Sequence, residues 1–405
     1  MTDVKNLADD EALRAAHGLF RVSLHVKPAD DAGWAFARTT FPPGRTFGGY
    51  VDGTLAGCTM SFPMHTTVPG GAALPTAAVT RVGVRADHTR RGVLSALMRE
   101  QLAAVAADGE PLAALRASEY PIYGRFGYGV TSRGVDVQLD PRKVSLHPAA
   151  PRTGEVRMIS KPEFGAVLPV VYERIGARRP GMFRRSQMWW HVGLDRPDDQ
   201  RHVLAAVHTG ADGDDGFVVY TLEENHEGDS PWGTAVQIED LHAADAAATT
   251  ALWRFVLGID MINRVRAWQR PLDEPLHLLV ADPREVATKG VFDELWLRVV
   301  DVPAALSARS WAGSDAMDDV VLGVRDALLP SNGGSYRITP DGVSRVDKAP
   351  QVECDVAVLG RLYLGDVAPS VLAATGWLTA TDPAALRAAD ALFATGVTPW
   401  CGTFF

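Results

Sequence analysis

Apolar residues between positions 9 and 19 fall on Leu13, Ala16 and Leu19, the three- and four-residue spacing of one helical face, and predict an amphipathic helix. A polar stretch rich in Pro, Asp and Gly follows to about Gly44 and reads as a loop. The period then shortens. Residues 47–51 and 55–62 read as two strands joined across Asp52-Gly53, a dipeptide that accepts positive φ in a tight hairpin. Residues 76–84 form a third strand. Residues 92–107 form a helix striped by Val93, Leu94, Leu97, Met98 and Leu102. A short strand at 112–115, a helical turn at 120–126 and a strand at 130–139 complete a first α/β unit.

Pro141, Pro148, Pro151 and Gly154 mark a boundary. Beyond it a helix is expected at 162–177, strands at 203–207 and 216–221, a polar loop at 223–231, a strand at 234–241, a helix at 243–258 and a strand at 264–269, with a short element at 276–279. This order echoes the first unit and is consistent with an old duplication. A third unit opens near Glu294 with a strand at 295–302 and a helix at 303–308. Strands follow at 333–339 and 352–358, then helical pieces at 359–364, 369–374 and 383–393. Pro383 stands where the first turn of a helix tolerates a missing N–H. The expected organisation is a mixed α+β chain of three domains, 1–150, 151–293 and 294–405.

Composition narrows the function. The chain has 405 residues, 40 basic and 49 acidic side chains, a net charge of −9, and 46% apolar residues, which suits a globular protein with sizeable cores. A net acidic chain lacks the basic footprint that nucleic-acid binding needs. Cys58, Cys354 and Cys401 fit neither a zinc site nor a disulfide scaffold, so a reducing cytoplasm is the expectation. Early charges at Asp3, Lys5, Asp9, Asp10 and Glu11 argue against a leader. The apolar runs fall short of the roughly 20 residues of a spanning helix, so no membrane role is expected. The histidines show no metal spacing, and no metal is expected.

The strongest chemical signal is residues 80–97, TRVGVRADHTRRGVLSAL. A strand ends, a polar turn follows, and Arg90-Arg91-Gly92 opens a helix. Glycine lets an anion approach the backbone, the first-turn N–H groups are unpaired, and the arginines add charge-assisted donors. The segment reads as a pyrophosphate cradle, with a surface arginine pair on an ordinary helix start as the plain alternative. It is neither a Walker loop nor a dinucleotide fingerprint. A second signal is 115–129, where Tyr120, Tyr123, Phe126 and Tyr128 sit among glycines. A phenol is a proton donor rather than a base near neutral pH, and three of these rings read as packing. The chain ends in Gly-Thr-Phe-Phe, an apolar terminus that suggests docking into a core or a subunit contact.

The 80–97 segment resembles the cofactor motif of the GNAT acetyltransferases, with Thr89 and Leu94 departing from it. HTRRGVLSALMREQL at 88–102, LRASEYPIYGRFGYG at 115–129, VDVPAAL at 300–306 and WCGTFF at 400–405 are similar to the enhanced intracellular survival (Eis) branch of that superfamily. The resemblance implies a GNAT domain binding acetyl-CoA, a second GNAT-like domain without it, and a third domain like sterol carrier proteins. It implies that Val82, Gly83, Val84, Thr89, Arg90, Arg91, Gly92, Val93 and Ser118 contact the cofactor. Tyr123 matches the general acid, and the main-chain carboxylate of Phe405 the general base. Leu24, Val26, Asp30, Trp34 and Arg81 fall at the substrate side. Implied acceptors are aminoglycosides, other polyamines or a peptide lysine, and the implied assembly is a homo-hexamer. Val26 stands where relatives can carry an acid, and Arg81 disfavours a polycation. A lipid- or sterol-binding protein with an apolar tunnel in 294–405, or an inactive coenzyme A-binding regulator, are the alternatives.

Overall fold

The computed structural model describes residues 2–194, 202–224, 233–312 and 319–405. Most of the loop expected at 223–231 lies outside the described residues. The chain divides into two units. The first runs to Ser132, takes in Arg179–Phe183 and resumes from Leu295 to the end; the second holds Arg133–Arg178 and Arg184–Glu294.

In the first unit β1 (Asp3–Asn6) and α1 (Asp10–Ser23) are followed by α2 (Asp31–Arg38), β2 (Thr46–Val51), β3 (Thr54–Thr67) and β4 (Ala73–Val84). Then come α3 (Val93–Ala107), β5 (Leu112–Leu115) and α4 (Tyr120–Tyr123). Asp9 caps α1 by accepting from the Ala12 N–H. The β2–β3 hairpin turns on Asp52 and Gly53, both at positive φ (50° and 76°), as that dipeptide allows. The stretch expected as loop to Gly44 holds α2. Asp30 caps it, and Trp34 and Ala37 turn inward, a two-residue apolar face too short to announce itself in the sequence.

The sheet order is β1-β2-β3-β4-β5, antiparallel until β5, which joins β4 in parallel through the α3 crossover. β6 (Gly129–Leu139) leads out. The second unit continues with β7 (Glu155–Ile159), α5 (Phe164–Ile175), α6 (Gln187–Leu194), β8 (Val203–Gly210), β9 (Gly213–Glu224) and β10 (Thr234–Ala243). It is completed by α7 (Ala246–Leu257), β11 (Ile262–Pro271), α8 (Leu276–Leu279) and β12 (Val286–Val299). Its order is β7-β8-β9-β10-β11-β6, antiparallel except for β10–β11, which are parallel across α7. This repeats the first sheet strand for strand. The end of β12 supplies the first unit's closing strand, pairing Trp296–Val299 with β5. The strand expected at 295–302 is the inner end of this longer one.

The C-terminal part of the first unit adds α9 (Val302–Ala308), β13 (Val320–Arg325), β14 (Gly334–Thr339), β15 (Gly342–Val346) and β16 (Val352–Asp355). It ends with α10 (Val356–Tyr363), α11 (Pro369–Ala374), β17 (Leu378–Ala380) and α12 (Pro383–Phe393). Its sheet runs β15-β14-β13-β16-β17. The strand expected at 352–358 stops at Asp355, whose carboxylate accepts from the Ala357 N–H and starts α10; the apolar run 356–359 is helix. The interior is filled by Arg309, Trp311, Tyr363 and Phe393. Arg309 is buried and donates to the carbonyls of Tyr363, Leu392 and Phe393, the ends of α10 and α12, where helix carbonyls lack partners.

This C-terminal part braces the segment after α4. Arg298 donates to the Phe126 carbonyl at 2.9 Å and forks onto Asp326 at 2.7 and 2.8 Å, fully buried. Gly129 lies so close to α10 that a Cβ would stand 2.0 Å from the Ala357 carbonyl oxygen. Among the described residues no helix is long and apolar enough to cross a membrane.

Candidate active site

The site grows from a mismatch between β4 and β5. Their register joins 76–78 to 112–114 and stops, while β4 continues to Val84. Past Ala78, β4 runs on with no β5 partner. At the same level β4 carries a bulge against β3, where the register slips between Cys58 and Met60 and Arg81 adopts φ 52°. Cys58 sits under the bulge, its Sγ toward the carbonyls of Ala16 and Arg81. Burial pushes its thiol up to about 12, so it is a packing group and not a nucleophile. Val82, Gly83 and Val84 thus lie on the part of β4 that is not paired to β5. Gly83 passes close to the end of α1, where a Cβ would meet Ser23 Oγ at 2.5 Å and the Phe20 Cα at 3.1 Å.

Past β4 the loop turns through a short helical turn, Ala86–His88, to the start of α3. Asp87 accepts from Arg85 through two bonds and pairs with His88, and Arg85 holds its carboxyl well below the usual range. Thr89 Oγ1 donates to the Ala86 carbonyl. Arg90 (φ 61°) and Gly92 (φ 82°) both take the left-handed conformation, which swings the chain into α3 with no side chain capping it. Arg90 and Arg91 are exposed, and a Cβ at Gly92 would meet nothing within 4 Å. Val93 turns inward onto Phe47, Ala56 and Leu97. The helix start is therefore open, rimmed by cations, with unpaired first-turn N–H groups and the positive end of its dipole outward. These residues fit a diphosphate. The matching helix of the second unit does not: α7 is capped by Asp245, whose carboxylate accepts from the Ala248 N–H at 2.8 Å and stands where an anion would bind.

After β5, Ser118 is exposed in the bend before α4, and Tyr123 packs with Val79, Leu115 and Met98 in the core under α3. Its ring meets Tyr128 edge-on, 6.1 Å between centroids. Burial, with a smaller contribution from Glu119, pushes the phenol up to about 12. Tyr123 keeps its proton at neutral pH.

The chain end is docked. The Trp400 N–H donates to the Pro180 carbonyl, Cys401 and Thr403 are fully buried, and the Phe405 ring meets Phe183 and Phe62 edge-on at 5.2 and 6.0 Å. Phe62 is the register partner of Ala78, the last residue of β4 paired to β5. The Phe405 ring therefore lies at the level where the β4–β5 pairing ends.

At the bulge, the Arg81 guanidinium lies 4.2 Å over the Phe41 ring and donates to Thr40 Oγ1 at 2.5 Å. Trp34 is buried against Phe41 and His17 and donates its indole N–H to Asp10. Asp30 accepts from the Gly33 N–H as the cap of α2. Leu24 and Val26 are 42% and 44% exposed past the end of α1. The structure thus gathers Trp34 and Arg81 around Phe41, keeps Asp30 at a helix start, and leaves Leu24 and Val26 at the surface. Sequence reading passed over His17, Thr40, Phe41 and Arg116. His17 belongs to the predicted face of α1. Burial beside Arg81 and Arg21 lowers it to about 4, so it is neutral. Arg116 donates its Nε–H to the Thr403 carbonyl; its one sequence signal is a charge directly after an apolar strand.

Residues 3–131 match an acetyltransferase (GNAT) domain, 181–299 another, and 302–402 a sterol carrier protein domain. Fold and site together define an acetyl-CoA-dependent transferase of the GNAT class with tandem GNAT domains and a sterol-carrier-type C-terminal domain. An uncharacterized N-acetyltransferase of Streptomyces avermitilis is 38% identical over 366 residues, 88% of either chain. N-acetyltransferase Eis of Mycobacterium tuberculosis is 35% identical over 354 residues, 85% of this chain and 84% of that one. The crystal structure of Eis1 from Mycobacterium abscessus covers 100% of both chains at a TM-score of 0.89 and 36% identity. The chain belongs to the Eis family of GNAT N-acetyltransferases.

Proposed function

We propose that the chain moves an acetyl group from acetyl-CoA directly to a primary amine of an aminoglycoside, another polyamine or a lysine side chain, within a ternary complex. The docked chain end carries this reading, because the Phe405 ring rests on Phe62, whose partner Ala78 is the last β4 residue paired to β5, and an acyl group held beside the rest of β4 would lie close to that level. Arg90, Arg91 and the N–H groups after Gly92 would hold the diphosphate, with Thr89, Val93 and Ser118 beside it. The thioester supplies an activated acyl carbon and a thiolate leaving group. The carboxylate of Phe405 takes a proton from the acceptor amine, directly or through water. The Tyr123 phenol gives one to sulfur, and the main chain of Val82, Gly83 and Val84 orients the acyl carbonyl. Arg81, stacked on Phe41, narrows the choice of acceptor by repelling bulk positive charge near β4, with Leu24, Val26 and Asp30 further out. A homo-hexamer and a cytoplasmic location belong to the same proposal, and light scattering after gel filtration checks the first.

The test follows thiol release from acetyl-CoA with a panel of amines, for the whole chain and for a chain lacking Phe405. Turnover with a polyamine, reduced about 10²-fold or more by the truncation with the KM for acetyl-CoA little changed, is the expected result. Unchanged turnover in the truncated chain overturns the role of the terminus. The lipid-binding alternative is disfavoured by the interior between α10 and α12, which Arg309, Trp311, Tyr363 and Phe393 fill.

A further inference from the structure

We propose that Arg116 is the positioning residue for the terminal carboxylate, a role that rests on the proposed reading of the chain end as the base. Chain termini fray unless tied down, and ordering each residue of a free end opposes docking by about 1–2 kcal/mol of backbone entropy. Here three consecutive residues are each held. The Thr403 carbonyl accepts from Arg116 Nε at 3.1 Å and from Cys401 Sγ at 3.3 Å. The Phe404 ring lies 5.2 Å from the same guanidinium. The Phe405 ring rests against Phe62 and Phe183. Phe404 is 75% exposed, so little of its hold comes from burial; the cation across its face supplies it. Arg116 thus holds two of the last three residues.

The placement gives that hold a function. Arg116 directly follows β5, two residues past Ala114, the last β5 residue paired to β4. It precedes Tyr123 by seven residues, so one short segment carries both the acid and the clamp on the base. The link to Thr403 spans 287 positions of sequence. A planar guanidinium suits the task. Its Nε–H lies in the plane and donates to a carbonyl while its flat face stacks on a ring, and an ammonium cannot do both. Arg116 acts on the base through the terminus that it holds.

The experiment compares the full-length chain with Arg116→Gln, Arg116→Lys, a Phe405 deletion and the Arg116→Gln deletion double variant, using acetyl-CoA with kanamycin or spermine as acceptor. Carboxypeptidase release of phenylalanine gives an activity-independent readout. The proposal expects kcat of Arg116→Gln to fall about tenfold to a hundredfold, with the KM for acetyl-CoA within about twofold. Arg116→Lys should recover part of the loss. Phenylalanine should be released faster from Arg116→Gln than from the parent. In the deletion background Arg116→Gln should cost less than about twofold more, since both changes remove one function. A fully active Arg116→Gln variant with a protected end overturns the proposal, as do losses that multiply in the double variant. If Arg116→Gln does not fold, a Lys variant with unchanged end protection and unchanged kcat overturns it equally. Should the Phe405 deletion keep full turnover while Arg116→Gln exposes the end, the reading of the base fails and the clamp stands.

Discussion

Burial governs the acid at the centre of the proposed chemistry. The Tyr123 phenol is 7% exposed and pushed up to about 12, so it holds its proton throughout the working range. The sign follows directly. A phenol ionises as pH rises, and a raised value moves that loss upward. Tyr123 should therefore impose no falling limb on kcat/KM between about pH 7 and 10, and an alkaline limb from it belongs near its raised value. Tyr123→Phe should lower kcat about 10²-fold while leaving the KM for acetyl-CoA nearly unchanged, as steady-state kinetics over that pH range would report. A limb near pH 9 that disappears in Tyr123→Phe would contradict the buried, protonated phenol. Tyr123 stood out in the sequence through its motif. The surroundings of Arg81 did not. The bulge that gives it positive φ, and the Phe41 and Thr40 that receive it, come together only when a segment read as loop folds onto β4.

At the scale of elements, two helices answer the same topological position differently. α3 starts uncapped at Gly92 between cations, whereas α7 starts under the carboxylate of Asp245. The difference argues that anion binding is a property of the first unit's helix start and not of the repeated fold. Gly92→Asp places a carboxylate at that start. It is expected to raise the KM for acetyl-CoA at least about tenfold, through charge and through filling the cradle, and to lower stability by about 1–2 kcal/mol, because Gly92 stands at φ 82°, where a side chain is strained. Kinetics and a thermal melt of the one variant check both halves; an unchanged KM would place the diphosphate elsewhere. The strand-helix-strand order was legible in both units because apolar periods of two and of three to four alternate cleanly along the chain. The short elements were not. α2 shows two inward residues, and the apolar run 352–358 divides into strand and helix at a capping aspartate, a distinction periodicity over so few residues does not make.

Across the whole molecule the C-terminal part works on the first GNAT domain from two directions. Its chain end docks against Phe62 and Phe183, and α10 and β12 brace the segment that follows Tyr123. Gly129 and Gly360 make the second joint: a Cβ on Gly129 would reach the Ala357 carbonyl oxygen at 2.0 Å, and one on Gly360 the Leu297 carbonyl oxygen at 2.4 Å. Both obstacles are backbone and cannot rotate away. Gly129→Ala is expected to lose about 2–4 kcal/mol of stability, while Gly165→Ala in α5, where a Cβ meets nothing within 4 Å, is expected to be neutral or slightly stabilising. Denaturant unfolding of the pair measures this; equal stabilities would refute the close approach.

Local information in the chain was sufficient for its periodic helices and strands, the Asp52-Gly53 hairpin, the open start at Gly92 and the family, since each depends on residues near one another or on motifs kept as blocks. The long-range partnerships needed the folded molecule. The carbonyl of Thr403 meets Arg116 across most of the chain, Arg298 reaches Phe126, and β12 crosses back to close the first sheet. Such contacts depend on which surfaces the packed sheets bring together, and hydrophobic spacing along one segment carries no information about its distant neighbour.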